Sequence, residues 1–156
     1  MVVALFLFLV AMGCWLGGIV FFSFFTAPAI FGSLPIEEAG RTIGSIFPRY
    51  YLLGYVAGTV SLVLAIYFAL VRDARLQWGG AALAIAIGLG LTFYAGTVVL
   101  PRADAIRVVS HQPNADPVQK AEFDKLHRLS VILNGTVLLL NLAALAGTAG
   151  ALTVRG

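Results

Sequence analysis

Residues 78–100 read WGGAALAIAIGLGLTFYAGTVVL, with Arg72, Asp73 and Arg75 just before them and Pro101-Arg102 just after. No Lys, Arg, Asp or Glu interrupts the stretch. A helix needs roughly 20 apolar residues to cross the hydrocarbon core of a bilayer. The run also lacks the polar-apolar alternation of a barrel strand. In lipid an unpaired backbone is too costly for any other spanning form, so the stretch is expected to be a transmembrane helix.

The same reading holds three more times. Apolar runs cover about residues 2–27, 50–71 and 128–153, again without an internal charge. With 78–100 they make four spans. Of the 156 residues, 60% are hydrophobic and only 11% charged, and the mean hydropathy is +0.97. A soluble domain carries roughly 25% charged residues. The expected fold is therefore all-α: one integral membrane four-helix bundle over residues 1–156, with lipid as its solvent. The net charge of +3 is modest and clustered at the ends of the runs, which argues for topology signals and against nucleic-acid binding.

The N-terminal run is roughly twice the length of a signal-peptide core and no Lys or Arg precedes it, so it reads as a retained span. Cys14, the single cysteine, reads as a small core residue; no disulfide can form within the chain.

The connections differ in kind. Residues 72–77 form a short turn that makes spans 2 and 3 an antiparallel hairpin. In the first connection, Leu34-Pro35-Ile36-Glu37-Glu38 carries a helix-start signal, with proline at the first helical position and acids in the first turn. A short interfacial helix is expected there, with Phe47-Pro48 then opening span 2. Phe47, Tyr50, Tyr51 and Tyr55 would form an interfacial aromatic belt. The third connection holds Arg102, Asp104, Arg107, Asp116, Lys120, Glu122, Asp124, Lys125 and Arg128. Asp116-Pro117-Val118-Gln119 reads as N-cap, first-position proline and capping-box partner. Helix 4 should thus begin near Pro117 and extend beyond the membrane. Helix 3 is expected to continue past Pro101 with a kink, and Asp104 and Arg107 share a helix face.

Lys and Arg are more numerous on the side of connections 1–2 and 3–4, with seven residues (Arg41, Arg49, Arg102, Arg107, Lys120, Lys125 and Arg128) against three (Arg72, Arg75 and Arg155). The positive-inside rule then places both termini outside the cytoplasm.

Helices in lipid associate through close backbone approach or polar contacts, not a hydrophobic drive. Small residues four apart occur on every span: Gly13 and Gly17, Gly54 and Gly58, Ala84 and Gly88, Ala146 and Gly150. They predict a closely packed bundle without a wide pore. On helix 4, His127, Ser130, Asn134 and Asn141 fall on one face. Ser23, Thr26, Thr59, Tyr94 and Thr97 could meet it. This stripe is either an interhelical hydrogen-bond ladder or the wall of a ligand pocket.

Signs of catalysis are sparse. No ionisable side chain lies inside a span, and no nucleotide-binding loop, nucleophile elbow or zinc-protease motif occurs. Met12 and Cys14 do not share a helix face. A bis-histidine haem would need a partner for His127, and His111 lies in a loop. No cofactor or metal is assigned. The candidate ligand-binding residues gather at one end: Pro48, Tyr51, Arg102, Arg107, His127, Arg128, Ser130 and Asn134. The functional expectation is a membrane protein that binds a small ligand, a lipid headgroup or a protein partner there. An accessory subunit of a larger membrane complex is the second reading, with a homo-oligomer or a complex partner besides the bilayer. A metal- or haem-dependent enzyme, resting on His127 alone, is the third.

The pattern Gly18-Ile19-Val20-Phe21-Phe22 through Ala27-Pro28 and Phe31, then Ala39-Gly40, Phe47-Pro48-Arg49-Tyr50-Tyr51, and Phe123-Asp124-Lys125-Leu126-His127-Arg128-Leu129-Ser130 with Asn134, resembles the transmembrane protein 205-like family. That resemblance spans nearly the whole chain. It implies a small four-helix membrane protein and carries over fold and not activity; the expected location is a bacterial cytoplasmic membrane.

Overall fold

The computed structural model describes residues 1–110 and 116–153, all but a few of them in helices. His111 and Arg155, weighed above as a haem ligand and a topology charge, lie outside the described residues.

Helix α1 (Val2–Phe21) passes through a π-turn at Phe22–Thr26 into α2 (Ala27–Ser33), forming one rod. Helix α3 (Ile36–Val71) is the second rod. Helix α4 (Arg75–Tyr94), a second π-turn (Ala95–Val99) and α5 (Leu100–Ser110) form the third, and α6 (Pro117–Thr153) is the fourth. All four are long and apolar enough to cross a membrane, and they pack as an all-α bundle. Neighbouring rods in sequence pack extensively: α1 on α3, α3 on α4, α4 on α6. The seam that closes the ring, α1 against α6, is slight.

Proline explains both π-turns. A helical proline lacks an N–H, and its ring clashes with the carbonyl four residues back. For Pro28 and Pro101 those carbonyls belong to Phe24 and Thr97, each at the middle of a π-turn. In each case the residue before the proline reaches one step further. The Ala27 N–H donates to the Phe22 carbonyl, and the Leu100 N–H to that of Ala95. The widened turn makes room for the ring while the helix continues. Span 1 therefore runs on past Pro28, and helix 3 past Pro101, without a break in the backbone.

The first connection differs from expectation. Glu37 and Glu38 occupy the first turn, as read, while Pro35 is the N-cap, one place before the first helical position expected for it. The helix that starts there does not stop before Pro48. It forms a single 36-residue α3 with Pro48 in its interior. Pro48 removes one ladder hydrogen bond, and neighbouring helices tolerate that within a bundle. The separate interfacial helix is thus the first third of α3. At 1.5 Å per residue α3 is about 54 Å long and the 37-residue α6 about 55 Å, against a hydrocarbon core of roughly 30 Å.

Helix α6 begins as expected. The Asp116 carboxylate accepts the Val118 N–H at 2.9 Å and its carbonyl accepts the Lys120 N–H at 3.1 Å. Gln119 does not complete a capping box, since its Oε1 has no hydrogen-bond partner among the described residues. At the opposite end the turn from α3 to α4 is shorter than read. The Arg72 guanidinium caps it, lying 4.9 Å from the Phe68 ring and 5.8 Å from that of Trp78.

The core is aromatic at that end. Phe8, Phe68 and Trp78 meet with ring centroids 4.5–6.5 Å apart. Higher up, Trp15 crosses the bundle. A Cβ added at Gly58 would lie 3.0 Å from the Trp15 ring and 2.8 Å from Leu89, and one at Gly54 would lie 3.3 Å from Trp15 Nε1. Glycine at 54 and 58 is therefore what lets α3 approach α1 and α4. Gly88 is likewise buried against Trp15, and the pairs on α1 and at the end of α6 behave differently. Gly13 and Gly17 are exposed, and a Cβ at either would meet nothing within 4 Å. Ala146 and Gly150 are also exposed. Cys14 is exposed rather than in the core, because it lies on the same outward face of α1 as Gly17.

Candidate functional site

Above Trp15 the rods enclose a cavity of about 420 Å³ at the end bearing the long connections. That volume lies within the range of small-molecule sites. All four rods contribute to its wall. The first supplies Phe22 and Ser23 from the π-turn, with Ala27 and Phe31 beyond them; α3 supplies its face from Gly40 to Tyr51. Leu100, Ala103, Asp104 and Arg107 of α5 follow the three-four spacing of one helix face. Helix α6 contributes Phe123, His127, Ser130, Val131, Asn134, Gly135 and Leu138.

The wall is mostly aromatic and aliphatic. Phe22 packs on Phe47 and Tyr50 at 5.5 and 4.8 Å, and Tyr50 lies edge-on to Tyr51 at 5.3 Å. Tyr51 continues to Tyr55, which stacks on Phe93 at 4.2 Å. These rings were expected as an interfacial belt. They instead form a ladder across the bundle, because Phe47 and Tyr50 turn towards Phe22 of the first rod, Tyr50 reaches Asn134 of α6, and Tyr51 and Tyr55 lie against Gly96 of the second π-turn.

One polar chain crosses the floor. The Tyr50 hydroxyl donates to Asn134 Oδ1, and Asn134 Nδ2 donates to Ser23 Oγ at 2.8 Å. Three rods are thereby joined through one carboxamide. On the far side of the Tyr50–Asn134 pair lies a void of about 20 Å³, which also touches Tyr51, Ser130, Thr92 and Trp15. It has room for a single water.

The rim carries the charge. Arg107 Nε donates to Asp104 Oδ1 at 3.1 Å, the expected i,i+3 pair, and the Arg107 side chain lies over Gly40. A Cβ at Gly40 would come within 3.4 Å of the guanidinium. His127 is exposed, its ring parallel to Phe123 at 6.3 Å. The opening faces sideways. Phe24 and Phe31 on one lip and Val131 on the other line the cavity while remaining 63%, 44% and 58% exposed. The gap between them lies above the slight α1–α6 seam, where the π-turn and α2 face α6.

Of the residues expected from sequence, Tyr51, Arg107, His127, Ser130 and Asn134 line this cavity. Pro48, Arg102 and Arg128 do not; they are exposed on outward faces. The helix 4 stripe separates into four situations. His127 is at the rim, Ser130 donates to its own helix at Leu126 O, Asn134 bridges three rods, and Asn141 is fully buried with neither polar atom bonded among the described residues. Among the expected partners, Ser23 is used, Thr97 bonds its own helix at Phe93 O, and Thr59 and Tyr94 are exposed. Gly135, Asp104 and Phe22 were not singled out as site residues. Only their spacing from Asn134, Arg107 and Ser23 would have found them. Among the described residues no cluster of three or more His, Cys, Asp or Glu side chains could hold a metal ion.

A family model described as "Domain of unknown function (DUF4149)" matches residues 10–112, roughly two thirds of the chain. An uncharacterized protein of Aquifex aeolicus (strain VF5) is 29% identical over 123 residues, covering 78% of this chain and 79% of the relative. No solved structure matches.

Proposed function

We propose that this chain, which belongs to the DUF4149 family, is an intramembrane binding protein for an amphiphile dissolved in the bilayer. The ligand enters sideways between the α1–α2 rod and α6. One observation carries the reading: a cavity of about 420 Å³ with an apolar wall and a single hydrogen-bonded polar chain at its floor. Specific small-molecule sites have that composition, apolar surface for affinity and a few placed polar groups for orientation. Its lateral mouth suits a ligand that never leaves the membrane.

The finer identity belongs to the same proposal. The kinship with the transmembrane protein 205-like family rests on the Phe47-to-Tyr51 and Leu126-to-Ser130 motifs. The cytoplasmic membrane of a bacterium, with both termini outside the cytoplasm, rests on the Lys and Arg asymmetry.

Gly135 offers the direct test. It lines the cavity, and a Cβ there would meet nothing within 4 Å. In Gly135→Phe the ring fills the ligand's space without straining the bundle. Native mass spectrometry of the wild type, released from its own membrane, should show a bound small amphiphile that Gly135→Phe lacks at unchanged melting temperature. Equal occupancy in the two proteins would refute the reading.

A further inference from the structure

We infer that the head of the bound amphiphile is uncharged and presents a carbonyl oxygen to the Ser23 hydroxyl. This rests on the binding role proposed for the cavity and specifies its ligand class. The argument begins with direction. Tyr50 donates to the Asn134 oxygen, so the Asn134 nitrogen faces Ser23 and donates to it. The Ser23 oxygen is thereby an acceptor, and its own proton makes no hydrogen bond among the described residues. Ser23 lines the cavity. The chain Tyr50→Asn134→Ser23 therefore ends in a hydroxyl donor at the ligand's position, polarised by the two bonds behind it. A donor at that place selects an acceptor.

Charge narrows the choice. The charged groups in the wall are Asp104 and Arg107, bonded to each other at 3.1 Å. A carboxylate or phosphate head held at Ser23 would sit at the apolar floor, away from the exposed pair on the rim, and an unmatched charge there is strongly disfavoured. His127 stands at the rim, far along α6 from Asn134 by nearly two turns. An uncharged acceptor meets no such penalty. The carbonyl of a quinone ring and the ester carbonyl of an acylated lipid share this chemistry, and the aromatic wall of Phe22, Phe47 and Tyr51 accepts either a ring or a chain.

The full chain in lipid nanodiscs would be titrated with four probes: a decyl-substituted benzoquinone, methyl oleate, oleate and oleyl alcohol. At least one of the first two should bind about tenfold more tightly than oleate and oleyl alcohol. Binding of the quinone or of the ester identifies the source. Ser23→Ala should weaken that binding by about tenfold, the effect of one neutral hydrogen bond, while Ser23→Thr retains it. Tyr50→Phe, which keeps the ring packing, should weaken it less. Preferential binding of oleate, indifference to Ser23→Ala, or binding of neither carbonyl probe would each overturn the inference. In all three cases a native amphiphile lost in Gly135→Phe would leave the cavity's binding role standing. Retention of that amphiphile would remove both.

Discussion

Asn134 and Asn141 lie two turns apart on α6 with the same side chain and opposite surroundings. Asn134 reaches Tyr50 and Ser23 on two other rods; Asn141 is wholly buried, with neither polar atom bonded among the described residues. Interhelical hydrogen bonds in membranes contribute about 0.6 kcal/mol each. Asn134→Leu should therefore cost about 1 kcal/mol, read by reversible unfolding in mixed micelles. An unpaired buried amide is a liability of about 1–3 kcal/mol, so Asn141→Leu should stabilise the protein in the same assay. The glycines divide in the same manner. Gly58→Ala forces contact with Leu89 and Trp15 and should lower stability by about 1–3 kcal/mol. Gly17→Ala, in open space, should be neutral or slightly stabilising through helix propensity. At this scale the sequence was legible in type and illegible in partner. Helical spacing places His127, Ser130, Asn134 and Asn141 on one face. It does not say that Ser130 turns back on the Leu126 carbonyl or that Asn141 finds no hydrogen-bond partner among the described residues, because that depends on the three opposing rods.

Among elements, the informative features are the prolines. Pro48 reads in the sequence as the start of a helix and Pro101 as a kink in one that continues; these two and Pro28 each lie inside a continuous rod. The rule that proline stops a helix describes soluble chains, where water takes up the freed backbone groups. Within a bundle the cheaper solution is to keep the helix and widen one turn. The first π-turn also sets the register that brings Ser23 to Asn134. Pro28→Ala removes the clash that requires the wide turn, so that segment should tighten to α geometry. Amide exchange over residues 22–28 should slow, and the bound amphiphile should be lost as Ser23 rotates from the cavity. Faster exchange with full occupancy would contradict this account of the turn.

For the whole molecule the two ends are unlike. One is sealed by a three-residue turn beneath the Phe8, Phe68 and Trp78 cluster; the other splays into long rods around the cavity. This polarity was the most legible feature of the chain, since apolar runs and charge clusters report burial directly. The lateral mouth was not, because it arises from the weak α1–α6 seam, a relation between the first and last rods. The orientation proposed from the Lys and Arg asymmetry has a direct test. Reporter fusions at the N- and C-termini should both be silent in the cytoplasm while a reporter inserted beside Asp116 is active there.

Cys14 lies on the outward face of α1, the helix that forms one side of the weak seam. As the chain's single thiol it provides a native attachment point for a nitroxide, with no background to remove. A label there would sit among acyl chains rather than protein, so its relaxation by dissolved oxygen gives the immersion depth of α1. Paired with a second label on α6, it would give the width of the mouth in empty and loaded protein as a distribution of spin–spin distances, turning a gap between two helices into a measurable coordinate.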